Sequence, residues 1–431
     1  MTDEANRVRL VVNGVEFGGW KDVRIEAGIE RQARSFDLSV TDRWPGATDV
    51  PRRVKPGDAC EVYIGKDRVA TGYIDGTPIR YDGASLSVGI RGRSKTADLV
   101  DCCPTQGSKG GGGGGGGAPK SKGWGALGIV AIDGTGGAPA PKARAVAANA
   151  QGGGGGQWRG ASLEQIAADM AAPYGVKVVA EVDTGGALAH QIQQGETIFE
   201  SIDRMLRMRH CLATDNAMGE LVFVVAGSGG KASTSLELGR NIRGGDAPLD
   251  YKKVYSEYIC KGQKSITSQQ TEESEEGEDV ESAVSSSVGS SASATDSRVT
   301  RRRVLVIKQS GQADEGSCED RVKYERAHRA AKALETTYTV DGWRQDDGSL
   351  WVSNQEVRVI DPIVGFDTTM LIAEVRYLLD EQGQRAELKV GPLDGYVSAA
   401  QKKQKAKGSK NVKIVKDRYA KGNAGLSLEA P

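Results

Sequence analysis

The stretch "GETIFESIDRMLRMRHCLATDNAMGELVFV", beginning at Gly195, gathers Asp203, His210, Cys211, Asp215 and Glu220. A cysteine beside a histidine could supply a thiolate and its base, and the carboxylates could serve as general acid and base. Spacing tells against the first. Neighbouring residues on a strand project to opposite faces, so on a strand His210 would point away from Cys211. The other two histidines, His190 and His328, stand in no HExxH or similar metal-ligand pattern. The six cysteines (Cys60, Cys102, Cys103, Cys211, Cys260 and Cys318) form no CxxC pair, so free thiols in a reducing compartment are expected. "GSGGKAST", from Gly227, fails as a phosphate loop because Ala232 follows Lys231 where Ser or Thr is needed. Asp and Glu are spread along the chain, and no local pattern marks a carboxylate pair as special. The prediction is no catalytic residue, no metal site and no cofactor. The opening stretch then acts as a packing unit.

The elements around it support that reading. Thr197 and Glu200 make a capping box, after which Ile198, Phe199, Ile202, Met205 and Leu206 form the apolar stripe of a helix. "CLATDNAMGELVFVV" follows as strand, turn and strand. Upstream, Ser162 and Gln165 form a second capping box for a helix with Leu163, Ile166, Ala167 and Met170 on one face, stopped by Pro173 before the strand "VKVVAEV".

Before this unit the chain reads as β from Arg7 to about Leu99. "VRLVVNGVEF" carries an Asn13-Gly14 hairpin turn, and Gly65-Lys66, Asp75-Gly76 and Asp82-Gly83 punctuate further short strands. After it come the strands "KKVYSEYICKG" and "RRRVLVIKQSG", a helix in "SCEDRVKYERAHRAAKALETTYTV", and a closing β meander. The stretch "CEVYIGKDRVATGYIDGTPIRYDGASLSVGIRG" is echoed by "NQEVRVIDPIVGFDTTMLIAEVRYLLDEQGQRAELKV". Identity between them is thin, and both a true duplication and a chance likeness of two meanders stay open.

The expected fold is α+β, mainly β: two similar antiparallel β-barrel domains flanking a helix–strand domain, with long disordered insertions. The expected boundaries are an N-terminal barrel over 1–100, a Gly-rich flexible insertion over 101–157, and an α+β middle domain over 158–245. A second barrel follows over 246–263 and 299–396, interrupted by a Ser/acidic disordered insertion over 264–298. A basic tail over 397–431 ends the chain. The insertions are read from composition. Gly110–Gly117 and Gly152–Gly156 are unbroken glycine runs, and eleven serines with eight acids lie between Lys264 and Arg298.

Net charge is zero, with 57 basic and 57 acidic residues, so nothing global points to nucleic acid or a membrane. The start "MTDEANRVRL" has no apolar signal core, and the longest apolar runs are far too short to span a bilayer. A soluble protein not exported by a cleaved signal is expected. Beyond Gln401 lie nine Lys or Arg against two acids. Lys402, Lys403, Lys405 and Lys407 are therefore candidates for docking onto an acidic partner; nucleic acid would call for interleaved aromatics, and only Tyr419 is there.

The order of barrel, "SLEQIAADMAAPYGV", the "GETIFESIDRMLRMRHCLATDNAMGELVF" block and the final "TMLIAEVRYLLDEQGQRAELKVGPLDGY" meander resembles the baseplate hub proteins of Mu-like contractile-tailed bacteriophages. Hubs of R-type tailocins and type VI secretion spikes are related to these. The likeness spans about Arg7 to Tyr396, with the glycine runs and the Ser/acidic segment as departures. The resemblance implies a structural, non-enzymatic role: a homotrimeric ring adapting a six-fold tail tube to a three-fold central spike, with DNA as passing cargo. Its partners would be the spike, the tube protein and other baseplate proteins, without membrane insertion. It would be assembled in the host bacterial cytoplasm and reside in the virion's tail baseplate. The alternatives are a tail-associated cell-wall hydrolase using a carboxylate pair, or the hub of a tailocin or a type VI secretion spike.

Overall fold

The structure, a computed structural model, describes residues 4–42, 54–81, 86–104, 144–146, 156–209, 211–263, 291–312 and 315–396. The amino-terminal strands are β1 (Val8–Val12), β2 (Val15–Phe17), β3 (Asp22–Gly28), β4 (Ser35–Asp42), β5 (Ala59–Ile64), β6 (Asp67–Gly76), β7 (Ile79–Tyr81) and β8 (Leu86–Ser94). A short helix, α1 (Ala97–Asp101), follows. Asn13 and Gly14 both take positive φ, 51° and 78°, and Val12 faces Val15 across the two-residue turn. That is the backbone a type I′ hairpin demands. The turn expected at Asp75-Gly76 is absent. Strand β6 runs through it, with a register shift against β8 between Ile74 and Gly76; pairing with β8 absorbs the extra residue as a bulge and overrides the local turn preference.

The middle segment holds β9 (Arg144–Val146), β10 (Gln157–Ala161), α2 (Leu163–Ala171), β11 (Val178–Ala180), β12 (Leu188–Gln191), α3 (Ile198–Arg209), β13 (Leu212–Asp215) and β14 (Leu221–Val224). Both capping boxes occupy helix starts. Gln165 N–H donates to Ser162 Oγ at 3.2 Å. Thr197 N–H donates to Glu200 Oε2 at 2.8 Å, and Glu200 N–H returns to Thr197 Oγ1 at 3.2 Å. The stripe Ile198, Ile202, Met205 and Leu206 is buried against Leu163, Ile166, Met170, Leu221 and Phe223. Each aliphatic side chain fully withdrawn from water there stabilises the unit by about 1.5–3 kcal/mol.

The carboxy-terminal elements are β15 (Leu236–Glu237), β16 (Ile242–Asp246), β17 (Glu257–Gln263), β18 (Ser291–Thr295), β19 (Val304–Gln312), α4 (Glu315–Ala333), β20 (Thr336–Asp341), β21 (Glu356–Asp361), β22 (Phe366–Asp380) and β23 (Gly383–Gly391). Strands β17 and β19, read from the sequence as part of a second barrel, pair instead with each other and with β18 in a separate three-stranded sheet. Tyr258 and Cys260 of that sheet pack on Cys318 and Val322 of α4. Strand β18 also corrects the expectation of disorder throughout the Ser/acidic segment. "SASAT" alternates, with Ala292 and Ala294 turned to the α4 cluster and Ser291 and Ser293 exposed. Composition hid a period-two pattern. The more acidic part of the segment, like the glycine runs, lies outside the described residues.

The middle strands form a two-stranded sheet, β10-β12, and a four-stranded one, β13-β14-β11-β9, and the remaining strands join into one 14-stranded sheet. Its path runs β16-β20-β23-β22-β3-β4-β8-β6-β5-β1-β2, with β7 beside β8, and β15 beside β21 on β22. Cutting the path between β22 and β3 leaves two halves in the same order: β3-β4-β8-β6-β5-β1 and β16-β20-β23-β22-β21-β15. All neighbours are antiparallel in both halves except the last pair, where β1 on β5 is antiparallel and β15 on β21 is parallel. The sequence echo thus corresponds to β5-β6-β8 and β21-β22-β23. The fold is α+β and mainly β, as expected. Among the described residues, however, the pairings form one open path and not two separately closed barrels. One core passes through both halves, from Leu10, Ile25, Leu38 and Val62 to Tyr338, Trp343, Val359 and Leu388.

Candidate assembly site

Asp215 closes β13 and is almost fully buried. Its Oδ2 accepts from the Arg34 backbone N–H at 2.9 Å and its Oδ1 from Arg34 Nε at 3.3 Å. Arg34 Nη1 reaches on to the Val69 carbonyl at 3.0 Å. Burial pushes the Asp215 carboxyl above its ordinary range, against the pull of Arg34. Around this pair the hairpin tip is fastened to the large sheet. Thr71 Oγ1 donates to the Ala217 carbonyl at 2.8 Å, and Thr214 Oγ1 to the Gly28 carbonyl at 2.9 Å. Gly219, at φ 72°, comes so close that a Cβ there would lie 2.5 Å from the Thr71 carbonyl oxygen. Glu220 serves the turn itself, accepting from Asn216 Nδ2 at 2.9 Å. The opening stretch is therefore a clasp between the helical unit and the sheet.

Its other candidates also hold structure. Burial raises the Cys211 thiol to about 11, which keeps it protonated and unreactive near neutrality. His190 lies on β12, with Nε2 2.8 Å from Ser201 Oγ and its ring 6.1 Å from that of Trp158. Burial and then the Arg204 charge lower its pKa, so it is held neutral. His328, on α4, donates from Nδ1 to the Gly395 carbonyl at 2.7 Å and stacks on Tyr324. His210 is outside the described residues. So are Lys402, Lys403, Lys405 and Lys407. Among the described residues no group of three or more His, Cys, Asp or Glu is arranged to hold a metal. The six cysteines are free, and burial raises Cys60 to about 12 and Cys260, beside Cys318, to about 11.

The second feature is the joint where β3 meets β22. The register pairs Val23 with Leu379, Ile25 with Tyr377, Glu26 with Arg376 and Gly28 with Glu374. Glu26 is only 6% exposed and is held by Arg24 at 2.6 Å, Arg31 at 2.6 Å and Arg376 at 3.5 Å. Glu374 receives Arg31 at 2.9 Å and Arg376 at 3.0 Å, and Arg376 continues to Glu387 at 3.3 Å. Burial works to raise the Glu26 carboxyl, but the Arg24 hydrogen bond and the Arg31 and Arg376 charges outweigh it and leave it below the carboxylate range. A shared network of this kind fixes register and orientation more than it adds raw stability. None of its members was singled out from the sequence, because no local spacing marks them.

Beside the joint an open cleft of about 650 Å³ is lined by Asp22, Asp37, Arg80, Arg91, Arg376 and Arg385, among others. Arg91 pairs with Asp37 at 2.7 Å and Arg385 with Asp380 at 2.6 Å. Val23, Pro78, Leu378 and Leu379 also line it, but the cleft is open and charged, unlike the enclosed and mostly apolar pocket of a small-molecule site.

Three family descriptions match parts of the chain: "Mu phage baseplate assembly protein GpP-like, N-terminal" over residues 7–94, "Baseplate hub protein gp44-like, second domain" over 147–225, and "Mu phage baseplate assembly protein GpP, fourth domain" over 315–399. Baseplate hub protein gp44 of Escherichia phage Mu is 30% identical over 399 residues, 91% of this chain and 89% of that protein. The chain belongs to the Mu-type baseplate hub family. The hub also resembles the solved 43 kDa tail protein of prophage MuSo2 from Shewanella oneidensis, with 28% identity, a TM-score of 0.71, and 91% and 99% of the two chains covered. A tail protein from Neisseria meningitidis MC58 shares the fold, with 20% identity, a TM-score of 0.65, and 91% and 98% covered. Its role is that of a structural hub in a phage tail baseplate, which implies association with other baseplate proteins in the virion. Among the described residues no helix is long and apolar enough to cross a membrane.

Proposed function

We propose that three copies of the hub form a ring that adapts the six-fold tail tube to the three-fold central spike, with DNA passing through its lumen. The observation carrying this reading is the strand order that occurs twice in one chain, β3-β4-β8-β6-β5 and β16-β20-β23-β22-β21. Three copies of a chain with two like halves offer six similar surfaces on one side while keeping three-fold symmetry on the other. Closed cyclic assembly then resolves the mismatch with one polypeptide.

In this reading the strands of 1–100 together with β15, β16 and β20 to β23 supply the ring, and the unit of β9 to β14 with α2 and α3 braces it through the Asp215–Arg34 clasp. The glycine runs and the acidic stretch before β18 are insertions, and Lys402, Lys403, Lys405 and Lys407 of the tail dock on an acidic baseplate partner. The hub acts without catalysis, and assembly takes place in the host bacterial cytoplasm. Light scattering and negative-stain microscopy of the purified chain test the central claim. The expected result is a particle of three chains with a central hole; a monomer at every concentration would overturn it.

A further inference from the structure

In-chain pairing between the two sheet halves leaves β7 of the first half and β16 of the second among the sheet's edges, and the repeated strand order relates these two residue by residue. In the first half the register runs Val23–Leu38–Ile90 and Ile25–Phe36–Gly92 across β3, β4 and β8. In the second half it runs Ile242–Val340–Ala386 and Gly245–Tyr338–Leu388 across β16, β20 and β23. Phe36 and Tyr338 are both buried at corresponding places. Ile242 therefore corresponds to Val23, Gly245 to Ile25, and Ala386 to Ile90. Continuing one strand further, Gly76 opposite Arg91 corresponds to Arg376 opposite Glu387, and Ile79 opposite Val88 to Leu379 opposite Gln384.

The consequence lies in what each edge meets. Val23 is covered, 2% exposed, because β22 pairs with β3. Among the described residues β16 has β20 on one side and, on the other, only an isolated bridge from Leu238 to its first residue, Ile242, while β7 has only β8. Ile79 stands 43% exposed and Tyr81 82% exposed on that second edge. An unpaired edge with exposed apolar side chains is a template for another strand. Here both sides of the missing contact are carried by the same chain.

We propose that β16 of one copy pairs antiparallel with the Gly76–Tyr81 edge of a second copy, Ile79 displacing the in-chain Leu238 bridge and standing opposite Ile242 as Leu379 stands opposite Val23 within the chain. The contact is head-to-tail, each copy giving one edge and receiving the other, and such contacts close into rings when the rotation permits. Every junction around the ring would then be of one kind, alternately within and between chains. This joint rests on the trimeric reading and specifies where its subunits meet.

The test is a disulfide across the new joint in the full chain carrying Cys103→Ser, which removes the exposed native thiol. Paired residues of adjacent strands come close enough for a disulfide, whereas a three-residue offset moves the two Cα atoms out of range. Ile79→Cys with Ile242→Cys should yield, on oxidation, a reducible species of three chains. Either single variant, and the offset pair Ile79→Cys with Gly245→Cys, should yield none. Separately, Ile79→Glu, at a site exposed in the single chain, should shift the mass from three chains to one without lowering the unfolding midpoint. A native trimer that forms no disulfide in the stated register, or that survives Ile79→Glu, overturns this joint and leaves the ring reading standing. A native chain that is monomeric throughout removes both.

Discussion

The carboxylate of Asp215 accepts from the backbone N–H and the guanidinium of Arg34, 181 residues earlier, and its side chain is 1% exposed while doing so. Removing one partner of a buried ion pair strands the other and costs about 3–5 kcal/mol. Asp215→Ala should therefore lower the midpoint of chemical unfolding by that order. It should also open the β13–β14 hairpin to limited proteolysis before the large sheet is cut. Unchanged stability and an unchanged cleavage order would contradict the clasp.

Acid should weaken the fold through identifiable groups. Burial acts to raise the Glu335 carboxyl, but hydrogen bonds from Lys332, Lys389 and Tyr396 hold it below the ordinary value. A carboxylate with a lowered folded pKa contributes stability that is present above its unfolded value, about 4.3, and lost as pH falls through the folded one. The lowered His190 acts in the same sense from a higher starting point: below about 6.5 the unfolded chain takes up a proton that the buried ring resists. Asp215, raised by burial, works in the opposite direction. The informative measurement is therefore a comparison of variants. Glu335→Gln should be less stable than the native chain at pH 7, by about 2 kcal/mol, and the gap should narrow when melting is followed down to pH 3. A gap independent of pH would show that the charge of Glu335 is not what matters.

Thiol chemistry should sort the cysteines by burial. Cys103 is exposed and Cys102 half-buried, whereas Cys60, Cys211, Cys260 and Cys318 are buried. Buried protonated thiols react slowly because the thiolate is the nucleophile. Under native conditions a chromogenic disulfide reagent should label Cys103 quickly and Cys102 more slowly, with four further thiols appearing only in denaturant. Fast labelling of Cys211 without denaturant would reopen the case for chemistry at the hairpin.

What could be read from the sequence was local. The capping boxes at Ser162 and Thr197, the Asn13-Gly14 turn and the stripe from Ile198 to Leu206 each depend on residues within a few positions of one another, so spacing was enough. The even alternation of "SASAT" was also local, but its serine and alanine composition masked it. The Glu26–Arg376 joint and the Arg34–Asp215 clasp unite residues far apart in the chain, the second pair by 181 positions, and no periodicity announces such a pair. The same limit explains the barrels: strand patterns foretold the strands, while closure depends on which distant edges meet, and here β3 met β22. At Asp75-Gly76 a correct local preference lost to a neighbouring strand.

The union of β3 with β22 also sets a clock. Arg31 and Glu374, which meet there, are 343 residues apart, and at roughly 5–20 residues per second a ribosome needs on the order of 20–70 seconds to make the second after the first. Throughout that interval the nascent β3 stays without its partner, a sticky ribbon in a crowded cell making many copies of itself. Slower translation would lengthen that exposure and lower the yield of usable subunits even though the finished molecule is unchanged.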